Sequence, residues 1–428
     1  DLAREYAGHP PSPVEATSIL LCLQSSPIHF HRKGRGNFRK APPEILQAAL
    51  AGQEKKRQQQ LLIDRMVSEL TAGTLPAEFQ AQIRPLLHKP DRNRPEIKAL
   101  EQACQDTGLS PARLMMKCGA FASTHDYLLD RFLYEYFPEG HHTSDILAPT
   151  MPHDLPLAAV TAFSIDDAST TEIDDAFSVT PLPDGGWRIG IHIAAPALGI
   201  RHDDPLGSLA RNRLSTVYMP GRKITMLPDI AVEHFTLAAG RDAPALSVYL
   251  DIDREYRLQH RETRIERVNI TANLRHHDLE PWFNEITLTE GLPDRPYASE
   301  LRLLWEYANI LEAARGKAGQ IQNQNDYNFT VDWTNNPHTS EPGRIHIEQR
   351  RRGSPLDKLV SELMIVANAG WGKELAEAGV AALYRAQTSG KVRMTTVAAP
   401  HEGLGVDCYT WLTSPLRRYV DLLNQWQL

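Results

Sequence analysis

The sequence predicts an α+β fold in two domains: a mainly helical domain over residues 1–150 and a domain of antiparallel strands and long helices over residues 151–428. Three observations support this prediction. Helical patterns dominate the first region, strand patterns paired across short turns dominate the second, and two long helical patterns lie among those strands. Between the two regions, residues 141–156 (HHTSDILAPTMPHDLP) are polar and contain proline, which is typical of a domain boundary.

Helices are predicted at two places in the first domain. Residues 53–70 (QEKKRQQQLLIDRMVSEL) have the apolar spacing of an amphipathic helix with a basic start. Residues 94–121 predict two short helices, the first ending at Gly108 and the second starting at Ser110 and Pro111. Two helices joined by a glycine turn are only a weak indication of a helix-turn-helix, because such pairs are common in helical domains.

The segment FHRKGRGNFRK, residues 30–40, alternates basic side chains with Phe30 and Phe38. Basic residues interleaved with aromatics and glycines suit an RNA strand, because the cations follow phosphates and the rings stack on bases. A solvated hairpin would have the same pattern. The sequence leaves these two interpretations open.

The second domain begins with strand pairs. The predicted pairs are residues 176–182 with 187–195 across PDGG, 247–253 with 257–270, and 329–333 with 344–349. Helices are predicted at residues 300–316 and 354–379. In the second helix, Ser354 suits the N-cap and Gly379 the C-cap.

Five carboxylates lie within ten positions of SIDDASTTEIDDAF, residues 164–177: Asp166, Asp167, Glu172, Asp174 and Asp175. The pattern predicts one strand that ends at Asp166 and another that begins near Asp174, so the loop between them folds the acids back toward one another. Hard oxygen ligands at this density suit Mg²⁺ or Mn²⁺, and such sites cleave phosphodiesters. A solvated acidic loop is the alternative.

A second segment, YTWLTSPLRRYVDLLNQ at residues 409–425, predicts a helix that starts at Ser414 and Pro415 with Arg417 and Arg418 in its first turn. Arginine is unfavourable near the positive end of a helix dipole, so this placement suggests a compensating phosphate. The alternative is an arginine that pairs with a nearby acid. Together, an acidic metal loop and an anion site suggest phosphoryl chemistry.

The overall composition limits the partners. The chain of 428 residues has a formal net charge of −7, so any nucleic acid must bind to local basic patches. No apolar run approaches the roughly 18 residues of a membrane span, and we expect a soluble, monomeric protein. The cysteines at 22, 104, 118 and 408 form no CxxC pair, which fits a reducing compartment, and we expect a cytoplasmic location.

Four stretches in order resemble the ribonuclease II and ribonuclease R family, whose catalytic domain is the RNB domain. They are residues 164–177, 215–228 (STVYMPGRKITMLP), 359–368 (LVSELMIVAN) and 413–423 (TSPLRRYVDLL). The resemblance implies a magnesium-dependent enzyme that degrades single-stranded RNA processively from the 3′ end to nucleoside 5′-monophosphates, leaving a short oligonucleotide. It also implies RNA rather than DNA as substrate.

The resemblance also assigns roles in catalysis. Asp166 and Asp175 correspond to direct metal ligands. Asp174 corresponds to the acid that holds the terminal hydroxyl or the attacking water beside the metal. Glu172 stands where the family usually has an aspartate, and the resemblance implies a catalytic role for it, with a side chain that is longer by one methylene. Arg417 corresponds to the arginine that stabilises charge on the phosphate in the transition state.

Four further residues are assigned to RNA binding by the resemblance. Arg418 would bind a neighbouring phosphate, and Tyr218 would pack against RNA near the 3′ end, with a tyrosine of the core as the alternative. Glu362 would hold the last base or ribose, with a glutamate on the helix surface as the alternative. His276 stands where relatives have a base-clamping tyrosine.

This chain departs from the family in three further respects. Relatives place a stacking phenylalanine in the region of residues 316–327, where this sequence has amides before Tyr327. Residues 1–150 lack the strand pattern of the cold-shock barrels of relatives, and we expect a helical domain instead, with a winged helix as one form. The oligonucleotide-fold domain that follows the RNB domain in relatives is not expected before Leu428. Because of these departures, an inactive RNB-like protein that binds RNA is the main alternative function, and a nuclease that acts on DNA is a weaker one.

Overall fold

The computed structural model describes residues 2–34, 36–140, 147–151, 154–219, 221–317, 325–334, 343–351 and 353–428. The chain forms two compact units, one ending at residue 141 and the other beginning at residue 142. The predicted boundary segment lies partly outside the described residues, and the proposed roles of the two domains stay predictions. Among the described residues, no helix combines the length and apolar character that a membrane span requires.

The N-terminal unit is mainly helical, which confirms that part of the predicted fold class. Its helices are α1 (Leu2–Ala7), α2 (Pro13–Ser25), α3 (Pro43–Thr71), α4 (Ala77–Gln80), α5 (Ile83–His88), α6 (Pro95–Thr107), α7 (Pro111–Lys117) and α8 (Thr124–Tyr136). Strands β1 (Phe30–Arg32) and β2 (Phe38–Lys40) form an antiparallel hairpin between α2 and α3. Apolar side chains of α3 to α7 form the core of this unit, with Met66, Phe79, Leu100 and Met115 fully or almost fully buried.

Local signals explain how these helices begin and end. Gly108 ends α6 with φ +68°, a left-handed conformation that glycine adopts without strain, and the Ser110 hydroxyl accepts from the backbone N–H of Arg113 at the start of α7. The helix predicted at residues 53–70 is longer than expected, because it already starts at Pro43. Proline at the first helical position fixes a helical φ and lacks an N–H that would go unpaired there.

The C-terminal unit is built on a closed five-stranded barrel. Its strands are β3 (Leu157–Asp166), β4 (Asp175–Pro181), β5 (Trp187–Ala194), β8 (Arg241–Ile252) and β9 (Leu258–Arg275), hydrogen-bonded in that order. All neighbouring strands are antiparallel except β9 and β3, which are parallel and close the barrel. The first two predicted hairpins are therefore confirmed as β4–β5 and β8–β9.

Three further hairpins and seven helices surround the barrel among the described residues. The strands are β6 (Val217–Met219), β7 (Arg222–Ile224), β10 (Asn325–Asp332), β11 (Arg344–Arg351), β12 (Tyr384–Thr388) and β13 (Lys391–Thr395). The helices are α9 (Pro205–Arg213), α10 (Asp229–Phe235), α11 (His276–Leu279), α12 (Glu285–Glu290), α13 (Ala298–Ala314), α14 (Pro355–Glu377) and α15 (Tyr419–Gln425). The third predicted hairpin is β10–β11, and the two predicted long helices are α13 and α14.

Both faces of the central barrel strands β5 and β8 are covered, which accounts for the almost continuous burial of these two strands. One face of the barrel carries large side chains such as Phe177 and Ile191, which belong to a core shared with the leucines of α13 and α14. The other carries small ones such as Ala176 and Ala245, in a core shared with α9, α10 and α15. This arrangement of antiparallel strands and helices confirms the α+β class.

One predicted helix start is wrong. Helix α15 begins at Tyr419 and not at Ser414, so Arg417 lies in the turn before the helix and Arg418 is its N-cap residue. Arg418 has an extended backbone because it forms a β-bridge with Ser215, and the Thr216 N–H also donates to the Arg417 carbonyl at 3.0 Å. These long-range bonds hold residues 417 and 418 out of the helix.

Candidate active site

The acidic loop connects two neighbouring barrel strands. Strands β3 and β4 are antiparallel with Phe163 opposite Phe177, so the end of β3 at Asp166 lies beside the start of β4 at Asp175. The strand bounds predicted from the sequence are therefore confirmed to within one residue. Because Asp174 precedes the strand, the backbone is free to turn there, and both Asp174 and Asp175 line one cleft.

This cleft has a volume of about 920 Å³ and lies entirely within the C-terminal unit. It brings together seven of the nine predicted site residues: Asp166, Glu172, Asp174, Asp175, Tyr218, His276 and Arg417. Residues of the β6–β7 hairpin and of β10 also line the cleft. The remaining two, Arg418 and Glu362, do not line the cleft.

Asp174 is a buried acid of the loop that accepts two hydrogen bonds. Its carboxylate is 2% exposed and accepts from the Leu416 backbone N–H and from Nε of Arg417, each at 2.9 Å. Burial raises the pKa of Asp174, while the Arg417 guanidinium and the Leu416 N–H oppose that rise. The arginine thus favours the ionised carboxylate.

Asp175 and Asp166 lack an arrangement of this kind. Burial and the charges of Asp166 and Asp174 together raise the pKa of Asp175 to about 8. Burial also raises the pKa of Asp166, whose carboxylate accepts from the Ser164 hydroxyl at 2.5 Å. Among the described residues, no side chain donates a hydrogen bond to Asp175. A cation shared by Asp166 and Asp175 would offset the burial that raises the pKa of both carboxyls and the repulsion that Asp166 exerts on Asp175.

The donor set fits a magnesium ion. Over the described part of the chain, no cluster of three or more His, Cys, Asp or Glu side chains is arranged as a metal cage. Magnesium does not need one, because it takes one or two carboxylates from the protein and fills its other positions with water and substrate phosphate. Asp166 and Asp175 provide two carboxylates of this kind.

Arg417 and Arg418 have different surroundings. Arg417 donates from Nη2 to the Ser414 hydroxyl at 2.9 Å, and its side chain is 41% exposed on the cleft side of its pair with Asp174. Arg418 donates to Asp421 at 2.7 Å and lies over the ring of Trp411 at 4.5 Å. The alternative of an arginine paired with an acid therefore describes both residues, but only Arg417 lines the cleft.

Glu172 holds the acidic loop to the neighbouring hairpin. Its carboxylate, 4% exposed, accepts from the Thr216 hydroxyl at 2.6 Å and from the Lys223 ammonium at 3.1 Å. Lys223 also donates to the Thr171 hydroxyl at 2.5 Å. The extra methylene of a glutamate lets the carboxylate reach these groups on and beside β6 and β7, and a direct catalytic role stays a prediction.

Aromatic side chains line the cleft from two hairpins. Tyr218 on β6 is 61% exposed, so the alternative of a core tyrosine is wrong. Phe329 on β10 is 51% exposed and lines the same cleft, although it was not among the predicted site residues. A signal for it was present, because Tyr327, Phe329 and Val331 alternate with polar residues and so share one face of β10.

His276 and Glu362 were also predicted to hold the last base of the RNA, together with the region of residues 316–327. His276 starts α11, and its Nδ1 lies 3.6 Å from Glu280. Glu362 is 5% exposed on α14 and accepts from the Arg315 guanidinium, so it is not the helix-surface glutamate considered as an alternative. Residues 318–324, in the region where relatives have their stacking phenylalanine, lie outside the described residues.

The sequence of this chain is similar to the RNB domain and to ribonucleases that are known from other organisms. Residues 155–394 and 389–428 match the model of the RNB domain. An uncharacterized ribonuclease of Synechocystis sp. is 25% identical over 97% of this chain and 67% of its own length. Exoribonuclease 2 of Sodalis glossinidius is 26% identical over 69% of this chain and 55% of its own length, so the chain spans about half of that relative.

Solved structures share the fold. The Dss1 exoribonuclease of Candida glabrata has a TM-score of 0.65 at 17% identity, covering 88% of this chain and 57% of its own. Mycoplasma genitalium RNase R in complex with ribose-methylated single-stranded RNA has a TM-score of 0.53 at 15% identity, covering 73% of this chain and 55% of its own. Yeast Ssd1, a pseudonuclease, has a TM-score of 0.52 at 15% identity, covering 65% of this chain and 41% of its own. At such identities the likeness shows the fold alone.

Proposed function

The chain belongs to the RNB domain family, and we propose that it is a magnesium-dependent, processive 3′-to-5′ exoribonuclease that hydrolyses single-stranded RNA to nucleoside 5′-monophosphates. The observation that carries this proposal is the arrangement of Asp166, Asp174, Asp175 and Arg417 around one cleft. These residues come from segments that lie about 240 positions apart in the sequence, and the fold joins them through the Asp174–Arg417 pair. A family fold that has lost hydrolysis would not need this combination of acids and arginine.

Asp166 and Asp175 would hold the metal ion. When bound there, magnesium would lower the pKa of a water molecule and offset negative charge on the scissile phosphate. The Asp175 carboxyl, whose pKa is about 8 without a cation, would then be ionised at neutral pH because a neighbouring positive charge favours the charged form. Manganese would satisfy the same oxygen ligands.

Asp174 and Arg417 would act on the reacting groups. The Asp174 carboxylate would accept a proton in a hydrogen bond from the attacking water or from the terminal hydroxyl, and so orient that group. The Arg417 guanidinium would donate to phosphate oxygens as negative charge develops on them. Because its side chain is 41% exposed, Arg417 is able to donate to a phosphate in the cleft.

The bases of the RNA would stack in the same cleft. Tyr218, His276 and Phe329 provide planar groups that accept any base, which fits a nuclease without sequence preference. Glu362 and Arg418 lie outside the cleft-lining set, and their contribution to RNA binding is proposed only from the family resemblance. The ribose 2′-hydroxyl is the feature that would distinguish RNA from DNA.

A single assay tests the proposal. The purified chain is incubated with a 5′-labelled single-stranded RNA of about 30 nucleotides and Mg²⁺, with EDTA and a DNA strand of the same sequence as controls. We expect full-length RNA to convert to one short product with few intermediates, no reaction with EDTA, and intact DNA. Products of every intermediate length would contradict processivity, and cleavage of DNA would contradict the substrate.

An inactive RNA-binding protein is the second candidate. The full engagement of Glu172 by Thr216 and Lys223 favours it, because an acid that the family usually places at the metal is here held by other groups. The fold does not decide between the two candidates, since it is shared by exoribonucleases and by a pseudonuclease. Intact RNA that is nevertheless retarded on a gel, in the same assay, would select this second function.

A further inference from the structure

A basic hairpin in the N-terminal unit, which the structure describes over residues 29–34 and 36–40, has the chemistry of a second RNA-binding site. Strands β1 and β2 pair in the register Phe30–Lys40, His31–Arg39 and Arg32–Phe38. Because side chains alternate across a strand, Phe30, Arg32, Phe38 and Lys40 share one face of the hairpin. On that face, each aromatic ring lies directly opposite a cation.

The cations of this hairpin are free to bind an external anion. Arg32, Lys33, Arg39 and Lys40 are exposed, and among the described residues none has an acidic side chain within 4 Å or a side-chain hydrogen bond. Other arginines of the unit, such as Arg57, Arg65 and Arg94, are paired with glutamates. The sequence explains the difference, since it has no Asp or Glu between Glu15 and Glu44.

The phenylalanines of the hairpin do not serve the core of the unit. The buried core lies on α3 to α7, and neither Phe30 nor Phe38 belongs to it. Both rings are instead half-buried at the edge of a groove of about 550 Å³, which Leu23 and Gln24 of α2 also line. A groove with two rings and one amide suits an unpaired base, because the rings stack and the amide can donate and accept hydrogen bonds.

We propose that the basic hairpin binds single-stranded RNA, with Phe30 and Phe38 on bases and Arg32 and Lys40 on phosphates beside them. Arg39, which alternation places on the opposite face of the hairpin, would bind a phosphate of the same strand where it passes the edge of β2. The identity of the ligand as RNA rests on the proposed function of the C-terminal unit. Because the net charge of the chain is −7, most of its surface would repel RNA. The local positive charge of the hairpin would attract it. The site would hold the body of a long RNA and is not needed for cleavage at its 3′ end.

RNA binding as a function of salt tests the proposal. A fluorescent RNA of about 30 nucleotides is titrated with the full chain in EDTA, which prevents cleavage, at several NaCl concentrations. Each phosphate contact on single-stranded RNA adds about 0.7 to the slope of log affinity against log salt. The variant Arg32→Gln/Arg39→Gln/Lys40→Gln should therefore lower the slope by about 2 and weaken binding about 10- to 100-fold at low salt. The positions are exposed, and circular dichroism verifies the fold.

Two further variants test whether the loss of RNA binding is specific to the basic hairpin. Lys55→Gln/Lys56→Gln/Lys98→Gln removes the same charge from exposed sites on α3 and α6 of the same unit, and it should leave the slope nearly unchanged. Phe38→Ala should weaken binding about tenfold without changing the slope, because stacking does not release counterions. An equal loss of slope in both charge variants would overturn the site and leave only a nonspecific charge effect.

The outcome also separates this proposal from the proposed function. If the wild-type chain neither binds nor cleaves RNA, the proposed function fails. If the wild type does both and the triple hairpin variant binds as well as wild type, the hairpin site alone is overturned. The expected result is a hairpin variant that still cleaves with Mg²⁺ at saturating RNA but needs about 10- to 100-fold more RNA to reach that rate. A preference of the wild-type hairpin for an acidic peptide over RNA in competition would also overturn the site.

Discussion

The Arg417 guanidinium donates from Nε to the Asp174 carboxylate at 2.9 Å and so connects the segment before α15 to the acidic loop between β3 and β4. The Leu416 N–H donates to the other oxygen of the same carboxylate. Residues 214–216 pair with residues 417–419 beside it, which brings the start of β6 and Tyr218 to the same place. One ion pair thus connects the acids that are proposed to bind the metal, the arginine and the part of the cleft that Tyr218 lines.

Asp174→Asn should abolish cleavage and keep RNA binding. Asparagine retains an acceptor for the Leu416 N–H but loses the charge that orients a water or hydroxyl, so we expect the rate to fall at least about 100-fold. Single-turnover cleavage and filter binding measure the two effects. Asp251→Asn is the matched control, because it also breaks an ion pair with an arginine, Arg188, but lies outside the cleft. An active Asp174→Asn enzyme would refute the role of this residue.

Arg417→Lys should also impair the reaction more than binding. Lysine keeps the positive charge but cannot donate to Asp174 and to the Ser414 hydroxyl from one planar group as arginine does. We expect kcat to fall about 100-fold, with a change in KM below about fivefold. Steady-state kinetics on a labelled RNA provide both constants. A rise in KM at constant kcat would instead mean that Arg417 only binds the substrate.

The sequence predicted this site in part. It identified the acids of the loop and Arg417, because both signals are local: a dense run of carboxylates between strands, and an arginine next to a proline turn. It misplaced the start of α15, because the bridge between Ser215 and Arg418 links positions about 200 residues apart. Contacts at that separation leave no mark on local propensity or periodicity.

In the fold, too, the elements that depend on nearby residues were predicted, and the pairing of distant segments was not. The β4–β5, β8–β9 and β10–β11 hairpins followed from alternation and turn residues, and α14 from its capping residues. The closure of the barrel by parallel strands β3 and β9 did not follow from the sequence, because it pairs segments about 100 residues apart. Phe329 was missed for a similar reason, since the sequence does not show which hairpin face borders the cleft.

Tyr218→Ala and Phe329→Ala should each change the size of the final RNA product more than the rate on long RNA. Each removes one stacking ring from the cleft, which weakens the hold on the last bases by about tenfold and releases a longer oligonucleotide. Denaturing gels of the end product measure this length. Tyr327→Ala is the control, because Tyr327 lies on the same face of β10 but does not line the cleft. Unchanged products for both variants would count against stacking.

Glu172→Gln should reduce cleavage less than Asp174→Asn does. The amide can still accept from Thr216, but it loses the charge pair with Lys223, so the β6–β7 hairpin is held less firmly. We expect a loss of up to about tenfold. Adding Lys223→Met to Glu172→Gln should then cost little more, because the two changes remove the same ion pair. Additive losses in this double-mutant cycle, or a loss as large as that of Asp174→Asn, would indicate direct participation of Glu172 in the reaction.

His192 should make the stability of the C-terminal unit depend on pH. The ring is fully buried between the Ser178 hydroxyl at 2.9 Å and the Ser247 hydroxyl at 2.8 Å, and burial lowers the pKa of His192 to about 3. In the unfolded chain the pKa of His192 is about 6.5. Below that pH the unfolded state therefore binds a proton at His192, whereas the folded state does not. The contribution of a neutral His192 is therefore complete above about pH 6.5 and falls as the pH is lowered, by about 2 kcal/mol between pH 7 and pH 5.

Replacing the histidine should remove this part of the acid sensitivity. His192→Gln keeps an acceptor and a donor for the two serines but does not titrate, so its unfolding free energy should fall about 2 kcal/mol less than that of wild type between pH 7 and pH 5. Urea unfolding, followed by a probe in the C-terminal unit at each pH, measures the difference. The slope with pH is the decisive quantity, because the substitution also disturbs packing at both pH values. His260→Gln, at an exposed position, is the control and should keep the wild-type slope. Equal slopes for His192→Gln and wild type would mean that His192 accepts a proton in the folded state.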